Sequence, residues 1–189
     1  MGVAERKDRE RAERERRITA AARLIAAREG WGAVTIRRLA KEIEYSQPVL
    51  YAHFENRDAI VAAVAVEGFR DLAIALRRAA HGSTDRQEAI QNVAVEYLAF
   101  AREHPALYDA MFTTPTVLRF AEAETKLELR DAFAALAAVV APSSSDAEVA
   151  TETFWAALHG LAELERSGRI RHSARNERVT LVVNKLLHQ

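Results

Sequence analysis

Apolar residues recur at helical spacing along almost the whole chain, and this periodicity restricts the possible folds more than any other feature. In one stretch, Ile36, Leu39, Ala40 and Ile43 fall at positions i, i+3, i+4 and i+7, which places them on a single face of a helix. Runs that alternate apolar and polar residues are missing, and proline occurs only four times in 189 residues. The sequence therefore predicts an all-α fold with about nine helices.

Capping residues and helix breakers mark where these helices begin and end. The predicted helices cover about 9–29, 35–43, 47–53, 56–81, 84–104, 105–112, 115–141, 145–167 and 174–188. The side chains expected to cap helix N-termini are Thr35, Asn56, Thr84 together with Gln87, and Ser145 together with Glu148.

Composition narrows the class of protein. The formal net charge is zero, but residues 1–60 carry 13 basic against 10 acidic side chains, so the N-terminal part is the more positive. No apolar run is long enough for a membrane span, and the charged start lacks the apolar centre of a secretory signal. With no cysteine there are no disulfides and no thiolate metal sites. We therefore expect a cytoplasmic protein that has no contact with a membrane.

Motifs for catalysis or cofactor binding are missing from residue 60 onward. The sequence has no nucleotide-binding glycine loop, no His-Glu-x-x-His and no Gly-x-Ser-x-Gly, and its six histidines lack ligand spacing. We therefore predict no metal, no cofactor and no enzyme activity. A helical enzyme with Glu163 or His159 as its base is kept as a minor alternative.

The helices predicted at 35–43 and 47–53 have the dimensions of a helix-turn-helix, with a short turn between them and a longer helix before them. The residues from Thr35 to Ile60 strengthen this interpretation, because their content resembles the tetracycline-repressor (TetR) family of transcriptional regulators. The segment Gln-Pro-Val-Leu-Tyr-Ala-His at 47–53 is similar to a recognition helix of that family. The close resemblance covers about 18–66.

The resemblance implies a repressor that binds a palindromic operator in double-stranded DNA as a homodimer. Its expected DNA-binding residues are Thr35, Arg37, Ser46, Gln47, Pro48, Val49, Tyr51, His53 and Arg57. Among them, Arg37, Gln47, Pro48 and Val49 would face base edges, and Tyr51, His53 and Arg57 would hold phosphates. The alternative for Tyr51 and His53 is that they are half-buried surface groups.

The turn departs from the family at one position, since Glu44 stands where a glycine is usual. A left-handed conformation there would cost a glutamate about 1 kcal/mol or more. Either the turn adopts another conformation or the glutamate lowers affinity for DNA. Whether the charged stretch 1–17 contacts DNA or is a solvated helix face is left open.

The second half resembles a TetR subgroup whose C-terminal domain is marked by Trp, His and Gly, here Trp155, His159 and Gly160. The resemblance implies a DNA-binding domain at 1–60 and an effector-binding and dimerisation domain at 61–189. A small, hydrophobic effector would be held by the following residues: Tyr97, Phe100, Tyr108, Met111, Phe112, Phe120, Phe133, Trp155 and His159. The alternative for each is ordinary core, and for His159 a hydrogen-bonded core histidine.

The last two helices are expected to form the homodimer interface, with Val149, Leu158, Leu161, Val179, Val183 and Leu186 on the contacting faces. These faces could instead close the protomer's own core. A constitutive DNA-binding protein with a purely dimerising second domain is therefore the main rival to an effector-released repressor.

Overall fold

The computed structural model describes residues 2–114, 125–140 and 146–187, without the side chains of residues 3, 186 and 187. The described helices are α1 (Val3–Glu29), α2 (Ile36–Glu42), α3 (Gln47–Tyr51), α4 (Arg57–Ala80), α5 (Arg86–Glu103), α6 (Pro105–Phe112), α7 (Leu127–Val140), α8 (Ala147–Arg166) and α9 (Arg175–Leu187). Short 3₁₀ turns lie at Trp31–Ala33 and His172–Ala174. Since the described residues contain no strand, the predicted all-α class is confirmed.

The N-caps of three helices can be compared with the capping residues predicted from the sequence. The Thr35 side chain accepts a hydrogen bond from the Arg38 amide at 3.1 Å, and the Asn56 side chain accepts one from the Ala59 amide at 2.9 Å, so both predicted caps are confirmed. The cap predicted at Thr84 is wrong by one residue. Asp85 accepts the Glu88 amide at 2.8 Å, because a carboxylate competes better than a hydroxyl for that position.

Two further boundaries differ from the sequence prediction. Helix α1 begins at Val3 instead of residue 9, since the charged stretch continues the helix, and α3 ends at Tyr51 instead of residue 53. Helix α8 is capped by Asp146, whose side chain accepts the Val149 amide at 3.1 Å. The predicted cap at Ser145 lies outside the described residues.

The chain divides into two compact units, and the first comprises Met1–Gly68 and Pro105–Glu124. Its core is formed by fully buried side chains of α1 to α4 and of Val34, which follows the 3₁₀ turn: Ile18, Ala22, Ile25, Val34, Leu39, Leu50, Ile60, Val61 and Val64. Gly68 lies against α6 so closely that an added Cβ would sit 2.6 Å from Sδ of Met111. The Trp31 indole donates to the Ala106 carbonyl at 2.7 Å, which ties the 3₁₀ turn to the same helix.

The second unit comprises Phe69–His104 and Thr125–Gln189. In it α8 packs on α5 and α7, and α9 packs on α5, around the buried side chains Leu76, Ile90, Val93, Tyr97, Phe154, Leu158, Val179 and Val183. Helix α4 continues along the chain from the first unit into the second. The functional boundary expected at residue 60 stays a prediction.

Candidate nucleic-acid interface

Helices α2 and α3 are held from one side by apolar contacts, which leaves their other side in solvent. Leu39 of α2 and Leu50 of α3 are fully buried. Ile43 and Phe54 are half-buried. The buried leucines therefore fix the two helices to the unit while the rest of their surface stays open to a partner.

The exposed side carries most of the residues expected to bind DNA. Gln47 and Pro48 open α3 with exposed side chains, and Tyr51 at its end is 53% exposed. Pro48 fits in this first turn because the amide that it lacks would have had no helical partner. Thr35, Arg37 and Ser46 are exposed beside them, and Val49 is half-buried. Six of the nine expected residues are therefore exposed, and all of these belong to α2, α3 or the residues that directly precede the two helices.

Two of the remaining three expected DNA-binding residues are engaged inside the unit. The guanidinium of Arg57 donates to the carbonyls of Val34 at 2.9 Å and Trp31 at 2.8 Å, and to the carboxylate of Asp58 at 3.0 Å. This arrangement ties the start of α4 to the 3₁₀ turn before α2. A phosphate contact of Arg57 stays a prediction, but much of its donor capacity is already used.

Like Arg57, His53 is engaged inside the unit, at the end of the segment 47–53. Its side chain is only 7% exposed, and its Nδ1 lies 3.3 Å from a carboxylate oxygen of Glu15 on α1. The sequence gives no sign of this pair, because the two residues are 38 positions apart and no local motif contains both. A phosphate contact of His53 also stays a prediction.

A second group of side chains, in the second unit, bears on the expected effector site. The Trp155 indole on α8 donates to the Tyr97 hydroxyl on α5 at 3.1 Å, and its ring meets that of Phe133 edge-on at a centroid distance of 6.4 Å. His159, one turn after Trp155, is half-buried. Burial lowers the pKa of His159, against an opposing effect of Glu163. We call Tyr97, Phe133, Trp155 and His159 the aromatic cluster.

The remaining expected effector residues are divided between the units. Phe100 lies in the second unit and contacts the ring of His104 at 5.0 Å. Tyr108, Met111 and Phe112 lie in the first unit, where the rings of Tyr108 and Phe112 are 4.6 Å apart. Phe120 is outside the described residues. A common cavity for all nine therefore stays a prediction.

Comparison with known proteins decides the family. Residues 18–64 match the bacterial regulatory proteins of the tetR family, and residues 90–184, half of the chain, match the tetracyclin repressor-like C-terminal domain. The chain belongs to the TetR family of transcriptional regulators. An uncharacterized HTH-type transcriptional regulator of Mycobacterium tuberculosis is 33% identical over 144 residues, which cover 75% of this chain. The match spans 65% of that relative, just under two thirds of its length.

Solved structures share the TetR fold over nearly the full chain. A protein of unknown function from Rhodococcus sp. RHA1 aligns with a TM-score of 0.76 and 23% identity, covering 92% of this chain and 93% of its own. FadR from Bacillus subtilis, solved in complex with stearoyl-CoA, aligns with a TM-score of 0.66 and 12% identity, covering 91% and 97%. At these identities the likeness establishes the fold alone. TetR regulators are not enzymes, which removes the enzyme alternative.

This TetR protein keeps the left-handed turn of a helix-turn-helix although it lacks the glycine. Glu44 has a φ of +56°, the one positive φ outside glycine in the described chain. The amide of Tyr45 closes the turn by donating to the Ala40 carbonyl at 2.9 Å. Of the two outcomes expected for Glu44, a different turn conformation is therefore wrong.

Charged side chains flank the exposed surface of α2. Arg38 pairs with Glu29 at 2.8 Å, and Arg28 pairs with Glu42 at 2.7 Å. The hydrogen bond from Arg28 lowers the pKa of the Glu42 carboxyl. Arg38 is therefore engaged in an ion pair at the surface, and a DNA contact of the exposed Arg37 stays a prediction.

Several residues expected at the dimer interface are buried inside the protomer. Leu158, Val179 and Val183 are buried within the second unit, so they close the protomer's own core and cannot contact a second copy. Val149 is 54% exposed and Leu161 is half-buried, whereas the side chain of Leu186 is not described. The large apolar residues that are exposed among the described side chains of α8 and α9 are Val149, Leu164 and Leu181.

Two further properties of the described part of the chain concern membranes and metal ions. No helix there is both long and apolar enough to cross a bilayer. No three His, Asp or Glu side chains converge there as metal ligands would.

Proposed function

We propose that this TetR protein is a dimeric repressor that binds a palindromic operator through α2 and α3. The observation that carries the proposal is the solvent exposure of Gln47, Pro48 and Tyr51 on a helix whose Leu50 is fully buried. A helix anchored in this way presents polar side chains at a fixed angle, as reading a major groove requires. Such a regulator would act in the cytosol, where bacterial DNA lies.

The chemistry of the exposed side chains suits base and phosphate contacts. The guanidinium of Arg37 can donate to O6 and N7 of guanine, and the amide of Gln47 can pair with N6 and N7 of adenine. The Tyr51 hydroxyl suits a phosphate oxygen. In this proposal His53 and Arg57 support the surface from inside, because their contacts with Glu15, Val34 and Trp31 hold the ends of α3 and α4.

The effector is proposed to be a small hydrophobic molecule bound beside the aromatic cluster. A hydroxyl, an indole N–H and a half-buried imidazole among aromatic rings are the few polar groups that such sites use to orient an apolar ligand. Stearoyl-CoA, the ligand of the Bacillus subtilis neighbour, is a reasonable first probe. Because α4 belongs to both units, its displacement by a ligand would reach the DNA-binding helices.

The main rival, a constitutive DNA-binding protein, is favoured by the burial of Tyr97, which is complete. Because Tyr97 has no accessible surface, no open space large enough for a water molecule adjoins it, and a ligand could reach it only if neighbouring side chains moved. The two proposals differ in whether effector binding and DNA binding are coupled. An effector that releases DNA must bind the two states differently, and DNA must then weaken effector binding by the same factor.

Selection of bound duplexes from a random pool tests the proposal. The unaltered protein should enrich a palindrome, and Gln47→Ala should relax the choice of base at one position in each half-site. Arg78→Ala is the matched control for Arg37→Ala, since both arginines are exposed on helices and Arg78 lies in the second unit. Failure to enrich any palindrome would overturn the proposal.

The same selection, repeated with stearoyl-CoA and with shorter acyl-CoA molecules, separates the repressor from its rival. Release of the enriched palindrome by one of them would support an effector site. Release that persists unchanged in Trp155→Leu would place the ligand elsewhere. Analytical ultracentrifugation with and without Leu181→Glu tests dimerisation through the exposed residues of α9.

A further inference from the structure

The N-terminal part of α1 extends beyond the core, and its basic side chains are concentrated on one side of the helix. The first buried side chain described in α1 is Ile18, and among the described residues before it only Glu15 is half-buried, so most of this stretch lies outside the packed part of the unit. Five arginines and two glutamates line one open cleft along this stretch: Arg6, Arg9, Glu10, Glu13, Arg14, Arg16 and Arg17. We call this side the arginine face.

The rest of the stretch has the opposite balance. Its charged side chains outside the cleft are Glu5, Lys7, Asp8, Arg11 and Glu15, three acids against two bases. The helix is therefore positive on the arginine face and slightly negative elsewhere. A stretch that served only for solubility would have no need to separate its charges in this way.

Tyr45 connects the arginine face to the proposed DNA-binding surface. The guanidinium carbon of Arg17 lies 5.1 Å from the centroid of the Tyr45 ring, and Tyr45 also lines the cleft. Tyr45 immediately precedes Ser46 and stands two residues before Gln47. Two residues of chain span about 7 Å at most, so the cleft begins beside the first turn of α3.

Two arginines of this face are the best placed to meet an external anion. The ion pairs along the stretch join Arg6 to Glu10 at 3.7 Å, Arg11 to Glu15 at 2.9 Å and Arg16 to Glu13 at 2.7 Å. Arg9 and Arg14 take part in none of these three, and both are exposed. Their guanidinium groups keep donors for phosphate oxygens.

We propose that the arginine face is a second DNA-contacting surface, which follows the phosphate backbone beside the groove entered by α3. This inference rests on the proposed operator binding and adds to it a contact that carries no sequence information. Arg6 and Arg17 are 11 residues apart on the helix, or about 16 Å. One strand carries a phosphate for every 3.4 Å of duplex axis, so a length of about 16 Å measured along the axis corresponds to about five phosphates of that strand.

The salt dependence of binding to the enriched palindrome tests the inference. The variant R9Q/R14Q removes two charges from the arginine face, and K7Q/R11Q removes two from the rest of the same helix. Affinity falls as salt rises, and each lost phosphate contact makes the plot of log affinity against log salt less steep by about 0.9. For each lost contact, the fall in affinity over a fourfold rise in salt is therefore about 3.5-fold smaller. Circular dichroism of each variant checks that α1 keeps its helical content.

We expect a smaller slope for R9Q/R14Q than for K7Q/R11Q, with the preference for the palindrome over scrambled DNA unchanged in both. Equal slopes for the two variants, on a palindrome that the unaltered protein selects, would overturn this inference and leave the proposed function standing. Loss of palindrome preference in R9Q/R14Q would also overturn it, since the arginines would then read sequence. If the unaltered protein selects no palindrome, both proposals fail.

Discussion

The carboxylate of Glu165, near the end of α8, accepts a hydrogen bond from Nε of Arg175 on α9 at 2.8 Å. A second arginine, Arg178, donates to its other oxygen at 2.6 Å, and the Glu165 side chain is only 2% exposed. Burial acts to raise the pKa of Glu165, but the hydrogen bonds from the two arginines outweigh it and the pKa is lowered. The network fastens the last helix to the second unit by charge as well as by apolar contact.

Replacing Glu165 with glutamine should therefore strongly destabilise the second unit. The isosteric amide leaves two partly buried guanidinium groups without their counter-charge, and breaking such a pair costs about 3 kcal/mol. Glu163→Gln is the control, because the Glu163 side chain is 37% exposed and that of Glu165 only 2%, so the loss of its pair with Arg166 should cost less than about 1 kcal/mol. Urea denaturation followed by circular dichroism measures both, and equal losses would contradict the prediction.

The same carboxylate has a definite effect on acid stability. Its folded pKa lies below the ordinary value of 4.5, so its stabilising contribution is complete above pH 4.5 and is lost as the pH falls through the folded pKa. Unfolding curves of the unaltered protein and Glu165→Gln should converge in strongly acidic solution. A difference that stayed constant down to the lowest accessible pH would show that the carboxylate's charge is not responsible.

Glycine in place of Glu44 should stabilise the first unit. A side chain at φ +56° carries strain of about 1 kcal/mol or more, part of which is offset because glycine gains freedom in the unfolded chain. We expect a net gain of up to about 1 kcal/mol in the free energy of unfolding. Ala52→Gly is the control, since Ala52 has an ordinary φ of −69° and should lose stability.

Glu44→Gln separates the strain at this position from its charge. The amide keeps the left-handed strain and removes a negative charge from the turn before α3. In the proposed complex both Glu44→Gly and Glu44→Gln should bind the operator more tightly, whereas only Glu44→Gly should gain stability. Tighter binding by Glu44→Gly alone would attribute the effect to conformation.

Structural features that depend on residues close together in the sequence could be predicted, and those that depend on distant residues could not. The caps at Thr35 and Asn56 and the exit of α4 at Gly82, φ +86°, involve residues within one helical turn, and they were predictable. The TetR motif is itself a local pattern of this kind.

Contacts between distant parts of the chain were not predictable. The bonds from Arg57 to Val34 and from His53 to Glu15 leave no local signal, so both residues were assigned to phosphates by resemblance alone. The apolar positions of α8 and α9 show the same limit. A helical stripe indicates that Leu158 and Val179 are covered, but it does not indicate whether the protomer or a second copy covers them.

Arg57→Ala should act mainly on stability. The change leaves the carbonyls of Val34 and Trp31 without their donor, and hydrogen bonds to charged groups contribute about 1.5–3 kcal/mol each at most. Arg37→Ala, at an exposed position, should alter the free energy of unfolding by less than about 0.5 kcal/mol. A fall of about 0.9 in the salt slope of operator binding by Arg57→Ala, without loss of stability, would restore Arg57 as a phosphate contact.

His159 should make the stability of the second unit depend on pH in weakly acidic solution. Its folded pKa is lowered below the ordinary 6.5 by burial, so in acid the unfolded chain takes up the proton first. Stability then falls as the pH drops below 6.5 towards the folded pKa, and it has no dependence on this group at higher pH. Glu163 attracts the protonated ring and Arg166 repels it, so both belong to the balance.

Thermal unfolding between pH 5 and pH 8 measures this dependence, with His159→Gln as the variant that cannot take up the proton. His104→Gln is the matched control, because His104 is exposed in the same unit and shows no such burial. His159→Gln should flatten the curve below pH 6.5, and His104→Gln should leave it unchanged. If an apolar effector covers His159, its affinity should fall over the same pH range, because a charged imidazole would have to be desolvated to admit it.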